Sequence, residues 1–126
     1  ELKFSQSGNL TIYSEPYKLK SILTNLISNA IKYSNQGGNI KCIVQAEYDF
    51  AVIQVKDNGI GIEKQHIPYL FDKFYRVDKS RVRQTGGSGL GLAIVKQQVM
   101  SLNGKITVTS KPDSYTCFTV YLPINL

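Results

Sequence analysis

The alternation of apolar and polar residues along the chain predicts two amphipathic helices and a set of short strands. From Pro16 to Tyr33, apolar residues recur three and four positions apart, the spacing of a helix with one buried face. A second helix is predicted after the glycine-rich stretch 86–91; it continues to Leu102, and Asn103-Gly104 provides a stop signal. A short helix is predicted over residues 63–71, broken around Pro68.

The remaining apolar segments alternate with polar residues and predict strands joined as hairpins. Because strands outnumber helices and most neighbours look antiparallel, the pattern predicts an α+β fold. We expect a two-layer sandwich, in which a mixed, mostly antiparallel sheet carries about three helices on one face. The predicted hairpins pair residues 1–5 with 9–13, 39–48 with 50–57, and 105–110 with 115–123.

Size and composition narrow the classes of protein. The 126 residues, 42% of them apolar, suit one domain with its own core, and no apolar run reaches the ~18 residues that a membrane helix needs. Because the chain begins at Glu1 and its only methionine is Met100, we expect it to be a segment of a longer protein. The two cysteines, Cys42 and Cys117, are predicted to be buried apolar residues, and a single histidine makes a zinc site improbable. The net charge of +6 is compatible with nucleic acid, a membrane surface or an anionic ligand.

The glycine-rich stretch "TGGSGLGLAIV" is the first candidate for chemistry. Glycines allow close approach of backbone to a ligand, and a helix amino terminus offers unpaired N–H groups and a partial positive charge, so the pair can cradle a phosphate. The context excludes a P-loop, since no Gly-Lys-Ser/Thr follows, and a dinucleotide-binding turn, since no strand leads into the glycines. Taken alone, the stretch is equally compatible with a flexible loop.

Three further patterns have both a functional and a plain structural interpretation. Asn25, Asn29, Lys32 and Tyr33 fall on one stripe of the first helix, where they line a ligand site or simply a solvated face. "DNGIGI" places Asp57 at a strand end before two glycines, which suits a carboxylate in a tight pocket or an ordinary turn. The basic, aromatic segment 71–87 fits a polyphosphate, a nucleic-acid patch or a solvated loop.

Taken together, the four motifs resemble the catalytic ATP-binding domain of sensor histidine kinases, in the GHKL ATPase superfamily with its Bergerat fold. "NLISNAIKYS" resembles the asparagine box, "DNGIGI" and "GGSGLGLAI" the two glycine boxes, and "LFDKFYR" the phenylalanine box. Each motif is weak alone, but their common order and spacing over residues 14–122 are specific. The resemblance implies binding of Mg²⁺ and ATP, and transfer of the γ-phosphoryl group to a histidine.

The resemblance also implies residue roles. Asn29 would hold Mg²⁺, with Asn25 supporting the same site, while Lys32 and Arg76 would contact phosphate; these four form the predicted catalytic set. Asp57 would accept the adenine amino group. The residues implied in nucleotide binding are Asn29, Lys32, Tyr33, Asp57, Gly59, Gly61, Ile62, Phe71, Phe74, Arg76, Gln84, Gly87, Ser88, Gly89, Leu90, Gly91 and Leu92, where Phe71 and Phe74 anchor the lid over the nucleotide.

One detail favours a kinase over the hydrolytic members of the superfamily. Gyrase, mismatch-repair and chaperone ATPases place a glutamate four residues before the metal-binding asparagine as the base that activates water, and this chain has Asn25 there. A hydrolytic ATPase, a nucleotide sensor without phosphotransfer and a nucleic-acid-binding protein are the alternatives. His66 precedes Ile67-Pro68 rather than an acidic residue, so it is not expected to be the phosphoacceptor.

The partners that the resemblance implies lie outside this chain. Residues 1–126 are expected to form one catalytic domain, and the dimerisation domain with its acceptor histidine is expected upstream of Glu1. A response-regulator receiver domain would be an indirect partner, and nucleic acid would not be one. The domain would be monomeric and cytoplasmic when isolated, whereas the parent protein would be a homodimer anchored in the cell membrane.

Overall fold

The structure, a computed structural model, describes residues 2–6, 16–34, 38–75 and 91–123. Its elements are β1 (Leu2–Gln6), α1 (Pro16–Tyr33), β2 (Ile40–Glu47), β3 (Phe50–Asp57), a 3-10 helix (Lys64–Tyr69), α2 (Gly91–Ser101), β4 (Lys105–Lys111) and β5 (Tyr115–Pro123). None of the described helices is both long and apolar enough to cross a membrane.

The five described strands form one sheet in the order β1-β2-β3-β5-β4. β2 with β3, β3 with β5 and β4 with β5 pair antiparallel, and Tyr48-Asp49 forms the tight turn between β2 and β3. β1 pairs parallel with β2, with Leu2 opposite Ile40. The sequence predicted residues 9–13 as the neighbour of β1, and those residues lie outside the described ranges. The parallel pairing of β1 with β2 was not predicted.

Both α-helices pack on one face of the sheet, here called the inner face, and the other face is called the outer face. The core between the layers contains fully buried residues from each: Ile22 and Leu26 of α1, Val95 and Val99 of α2, and Phe118 of β5. On the inner face Cys42 lies opposite Val55, and Val55 lies opposite Phe118, so the alternation of each strand places its apolar set toward the helices. The predicted two-layer α+β architecture is therefore confirmed.

The helix ends agree with their local signals. α1 begins at Pro16, whose fixed φ suits a first turn, and α2 ends before Asn103, which has a left-handed φ of 61°, and Gly104. Pro68 lies inside the 3-10 helix instead of breaking it. Because this element is short and closes i→i+3 bonds, the missing N–H of proline costs it less than it would cost an α-helix.

Both cysteines are buried and free, as the sequence predicts. Cys42 lies in the inner-face core, where burial raises the pKa of its thiol. Cys117 lies on the opposite face of the sheet, since its neighbour Phe118 faces the helices. The pair cannot form a disulfide across the sheet.

Candidate functional site

Asp57 is the last residue of β3 and projects from the inner face of the sheet, where only 3% of its surface is exposed. Its Oδ1 accepts a hydrogen bond of 2.9 Å from the backbone N–H of Gly59. Burial raises the pKa of the Asp57 carboxyl, and the Gly59 hydrogen bond acts in the opposite direction. The turn thus fixes the orientation of a carboxyl group that is largely withdrawn from water.

The Asp-Asn-Gly turn that follows β3 lies directly against the carboxyl end of α1. The N–H of Ile60 donates to the Tyr33 carbonyl oxygen at 3.2 Å. A Cβ added to Gly59 would overlap that same oxygen and would lie 2.8 Å from the Cα of Ser34. Glycine is therefore required here, because only a residue without a side chain lets the turn approach the end of the helix.

The next residues are held by the turn between β4 and β5. Gly61 has a φ of 71°, and a Cβ at this position would overlap the carbonyl oxygen of Lys111. The N–H of Asp113 donates to the Ile60 carbonyl at 2.7 Å, and the N–H of Ile62 donates to Ser110 Oγ at 2.7 Å. The segment "DNGIGI" is thus fixed between α1 on one side and the β4–β5 turn on the other.

Ser110 and Thr116 form a polar pair beside Asp57 that the sequence did not single out. Thr116 lies opposite Asp57 in the β3–β5 register and is 3% exposed, and its Oγ1 lies 2.8 Å from Ser110 Oγ. Because Ser110 donates its single hydroxyl hydrogen to the Tyr115 carbonyl at 2.7 Å, Thr116 is the donor within the pair. A threonine at an inner-face position of an otherwise apolar strand could have indicated a polar site. That Thr116 lies beside Asp57, however, follows only from the β3–β5 register.

The polar stripe of α1 forms another side of this region. Asn25, Asn29, Lys32 and Tyr33 are all half-buried. Asn25 Nδ2 donates to the Ser21 carbonyl at 3.0 Å, and its Oδ1 lies 3.5 Å from the position that a Cβ on Gly91 would occupy. Asn25 is therefore oriented toward the first residue of α2.

Asn29 lies one helical turn, about 6 Å, from both Asn25 and Tyr33. Asn25 contacts the start of α2, and the Tyr33 carbonyl contacts the turn that follows Asp57. The structure thus brings the predicted asparagine stripe, the first glycine motif and the end of the second glycine motif together at one edge of the core.

Phe71 and Phe74 differ in their surroundings. The Phe71 ring packs on the core, edge to face with Phe118 at a centroid distance of 6.2 Å, and Lys96 Nζ lies 5.7 Å from its centre. Phe74 is 66% exposed and has a left-handed φ of 65°. The geometry supports an anchoring function for Phe71 and gives no such support for Phe74, because the Phe74 ring buries little surface.

The remaining candidate residues are described only in part. Gly91 is the first residue of α2, and Leu92 packs against the core beside it. His66, which was not expected to be a phosphoacceptor, is half-buried and shares a 2.6 Å hydrogen bond with the Tyr75 hydroxyl. The predicted residues outside the described ranges are Arg76, Gln84, Gly87, Ser88, Gly89 and Leu90.

The described residues contain no cluster of three or more histidine, cysteine or acidic side chains that would bind a metal unaided. Mg²⁺, however, takes oxygen ligands and commonly keeps several waters together with substrate phosphates, so it needs only one or two protein ligands. The two amides of α1 match that requirement, because Asn25 is oriented by Ser21 and Asn29 is the next residue on its stripe. The residues present therefore fit a magnesium ion that is bound together with a phosphate ligand.

Comparison with known proteins agrees with this geometry. Residues 14–126 match the family model described as histidine kinase-, DNA gyrase B- and HSP90-like ATPase. The sensor histidine kinase WalK of Bacillus subtilis is 46% identical over 108 residues, which are 84% of this chain and 18% of WalK. The sensor protein CiaH of Streptococcus pneumoniae is 40% identical over 122 residues, which are 97% of this chain and 28% of CiaH.

A solved structure of full-length ShkA in complex with AMPPNP superposes with a TM-score of 0.83 at 27% identity, covering 98% of this chain and 25% of ShkA. The chain thus spans less than a third of each of these longer proteins. Since the family model covers the chain from residue 14 to its end, the resemblance based on the four motifs is confirmed. The chain belongs to the family of histidine kinase-, DNA gyrase B- and HSP90-like ATPases, and its relatives include the sensor histidine kinase WalK and the sensor protein CiaH.

Proposed function

We propose that this chain binds Mg²⁺-ATP and presents its γ-phosphoryl group to a histidine on the dimerisation domain of a longer sensor kinase. The observation that carries the proposal is the convergence of the Asn25 stripe of α1, the Asp57–Gly61 turn and the first residue of α2. The match to kinase relatives and the AMPPNP complex of ShkA support it.

Asp57 is the proposed recognition group for adenine. Its Oδ1 already accepts the Gly59 N–H, so the carboxyl is held in one orientation and can accept the exocyclic amino group of a base. The raised pKa of Asp57 follows from its burial, and a donor from the base would stabilise its charged form. Ser110 accepts the Ile62 N–H and so positions that backbone, and Thr116 bonds to Ser110 beside Asp57.

Asn29, with support from Asn25, would hold Mg²⁺, which neutralises phosphate charge when it is bound. Asn25 is fixed by its bond to Ser21, so the protein orders this amide before any ligand arrives. Lys32 and Arg76 are proposed to contact phosphate, Tyr33 to cover the adenine, and Gln84 with the glycine segment 86–91 to enclose the triphosphate.

The lack of a carboxylate on α1 favours phosphotransfer over hydrolysis. α1 contains no Asp or Glu, so none of its side chains can take a proton from an attacking water. The nucleophile and any base would come from the histidine-bearing domain. This chain would position the nucleotide and neutralise the charge of its phosphates. Rapid phosphate release by the isolated 126-residue chain would favour the hydrolytic alternative instead.

Titration calorimetry with AMPPNP and Mg²⁺ tests nucleotide binding. In Asp57→Asn the amide oxygen still accepts the Gly59 N–H, but the base then meets an NH₂ donor in place of a carboxylate. We expect binding about 10- to 100-fold weaker, the typical effect of losing a charged hydrogen bond. Asn29→Ala is expected to abolish the contribution of Mg²⁺ to affinity.

Two matched variants provide controls on the same elements. Ser28→Ala changes an exposed residue beside Asn29, and Asp49→Asn removes an exposed carboxylate in the turn that precedes β3. Both are expected to bind like wild type. The proposal is wrong if wild type does not bind the nucleotide, or if Asp57→Asn and Asn29→Ala both bind within twofold of it.

Phosphotransfer itself is tested in the longer parent protein with γ-labelled ATP. The expected product is phosphate on histidine, which is labile in acid and stable in alkali. Binding without such a product in the parent would identify the chain as a nucleotide sensor.

A further inference from the structure

The outer face of the sheet contains a groove of about 570 Å³ at the end where β3 reaches Asp57. It lies on the side away from the helices, because residues alternate between faces along each strand and the helix-facing set is already buried in the core. Asp57 and Asn58 also border the groove, so it adjoins the candidate nucleotide site, although its lysines lie on the opposite face of the strands. The groove residues that matter for binding are Lys41, Ile43, Gln54, Lys56, Tyr115 and Cys117.

Lysines from neighbouring strands are aligned at this groove. Lys41 of β2 lies directly opposite Lys56 of β3 in the antiparallel register. The backbone register of β1 places Lys3 opposite Lys41. Lys41 and Lys56 are both exposed, and like charges that face each other across strands destabilise a sheet, so a bound anion would compensate their repulsion.

The described residues do not supply that compensation. Neither Lys41 nor Lys56 forms an ion pair with any of them. Asp57 borders the groove at the end of β3, but its carboxyl is only 3% exposed and already accepts a hydrogen bond from the Gly59 N–H. Glu47, the acidic residue of β2, stands at the far end of that strand.

The lysines border a shaped cavity and not a flat surface. Lys56 Nζ lies over the Tyr115 ring, 4.9 Å from its centre, so the ammonium is held at the edge of the groove. Buried Cys117 and half-buried Gln54 also line the groove, and Gln54 adds an uncharged hydrogen-bonding group. Adjacent strands are only about 4.8 Å apart, so one phosphate or carboxylate group can reach both ammonium groups.

We propose that this groove binds a small anion with phosphate or carboxylate groups, seated between Lys41 and Lys56. A concave site of this volume suits a compact ligand. A lipid surface would require protruding apolar side chains around the lysines, and a nucleic-acid backbone would require a longer basic track. The inference does not depend on the proposed nucleotide site.

The test uses the isotope-labelled 126-residue chain without Mg²⁺, titrated with inorganic pyrophosphate and, separately, with citrate. We expect at least one of the two to shift the amide resonances of Lys41, Lys56 and Tyr115. The anion that binds more tightly shows whether the groove prefers phosphate or carboxylate groups. The double variant Lys41→Gln/Lys56→Gln should bind at least tenfold more weakly.

Lys105→Gln is the matched control, because Lys105 packs over Tyr121 on the same face but at the other end of β5. It should bind within twofold of wild type. The inference fails if neither anion binds, if the double variant binds normally, or if the shifts are confined to the α1 stripe and the Asp57–Gly61 turn. Binding to anionic phospholipid vesicles without binding of either soluble anion would also overturn it.

A failure of this inference is distinguishable from a failure of the proposed function. Loss of Mg²⁺-AMPPNP binding in Asp57→Asn with unchanged anion binding supports two independent sites. Anion binding that disappears in Asp57→Asn but persists in the double lysine variant would assign the anion to the inner face.

Discussion

Gly59→Ala tests whether the Asp57 turn depends on close contact with the end of α1. The added Cβ would overlap the Tyr33 carbonyl oxygen and lie 2.8 Å from both Asp57 Oδ1 and the Ser34 Cα. Two of these three neighbours are backbone atoms, which cannot rotate away. Overpacking of this kind costs about 1–3 kcal/mol, and a weakened Ile60–Tyr33 hydrogen bond adds about 1 kcal/mol.

We therefore expect Gly59→Ala to lower the free energy of unfolding by about 2–4 kcal/mol. For a chain of this length, 1 kcal/mol corresponds to a shift in Tm of about 4 °C, so Tm should fall by about 8–16 °C. The measurement is thermal and urea unfolding followed by circular dichroism, with the urea m-value used to check that two-state unfolding is retained.

Gly91→Ala is the matched control. Among described residues, its Cβ would meet only Asn25 Oδ1 at 3.5 Å, an ordinary contact, and Gly91 is the first residue of a helix. Both variants restrict the unfolded chain equally, so the difference between them reports folded-state contacts alone. Gly91→Ala should change Tm by less than about 3 °C, and equal Tm values for the two variants would refute the close packing at Gly59.

Three further predictions concern single side chains. Thr116→Val removes the hydrogen bond to Ser110 and should lower the free energy of unfolding by about 1 kcal/mol. Thr119→Val on the outer face should lower it less, because the Thr119 hydroxyl has only a 3.8 Å contact with Cys117 Sγ. Equal losses for the two variants in urea unfolding would argue against the polar pair. Asp57→Asn should be more stable than wild type at pH 7 without nucleotide, because burial raises the folded-state pKa of Asp57 and the charged form is penalised above it. This stability advantage should shrink as the pH falls through the folded-state pKa toward the ordinary value of 3.8. An advantage that stays constant with pH would contradict a raised pKa of Asp57 in the folded state. Phe74→Asn should raise the free energy of unfolding by about 0.5–1 kcal/mol, since asparagine tolerates the left-handed backbone better; a Tm lowered by more than about 4 °C would instead indicate that the ring packs.

The elements that the sequence predicted well are those whose signals are local. The spacing of Leu19, Ile22, Leu26 and Ala30 defines the buried face of α1, and these side chains do contact the core. The β2–β3 and β4–β5 hairpins follow from alternation and a turn within a few residues of each strand. In each case the information lies in one short window of sequence.

The features that the sequence did not predict depend on residues far apart in the chain. The parallel pairing of β1 with β2 brings together strands separated by all of α1, and no local pattern encodes that choice. The position of Thr116 beside Asp57 and the alignment of Lys41 with Lys56 each require a known register. Register determines which side chains meet, and a slip of one residue would move each of them to the other face.

The end of α1 explains how these distant parts are held at one site. The last carbonyl groups of a helix have no partner within it, and here the Tyr33 carbonyl is satisfied by the Ile60 N–H. A backbone hydrogen bond from the Ile60 N–H to the Tyr33 carbonyl therefore joins helix and turn. The point where α1 ends thus fixes the distance between the asparagine stripe and the Asp57 carboxyl. One residue inserted between Asn29 and Tyr33 would rotate that carbonyl by about 100° about the helix axis and remove it from Ile60. The exchange of Asn29 for another residue would leave this bond intact, which is why ligand binding and the stability of the Asp57 turn can be altered separately.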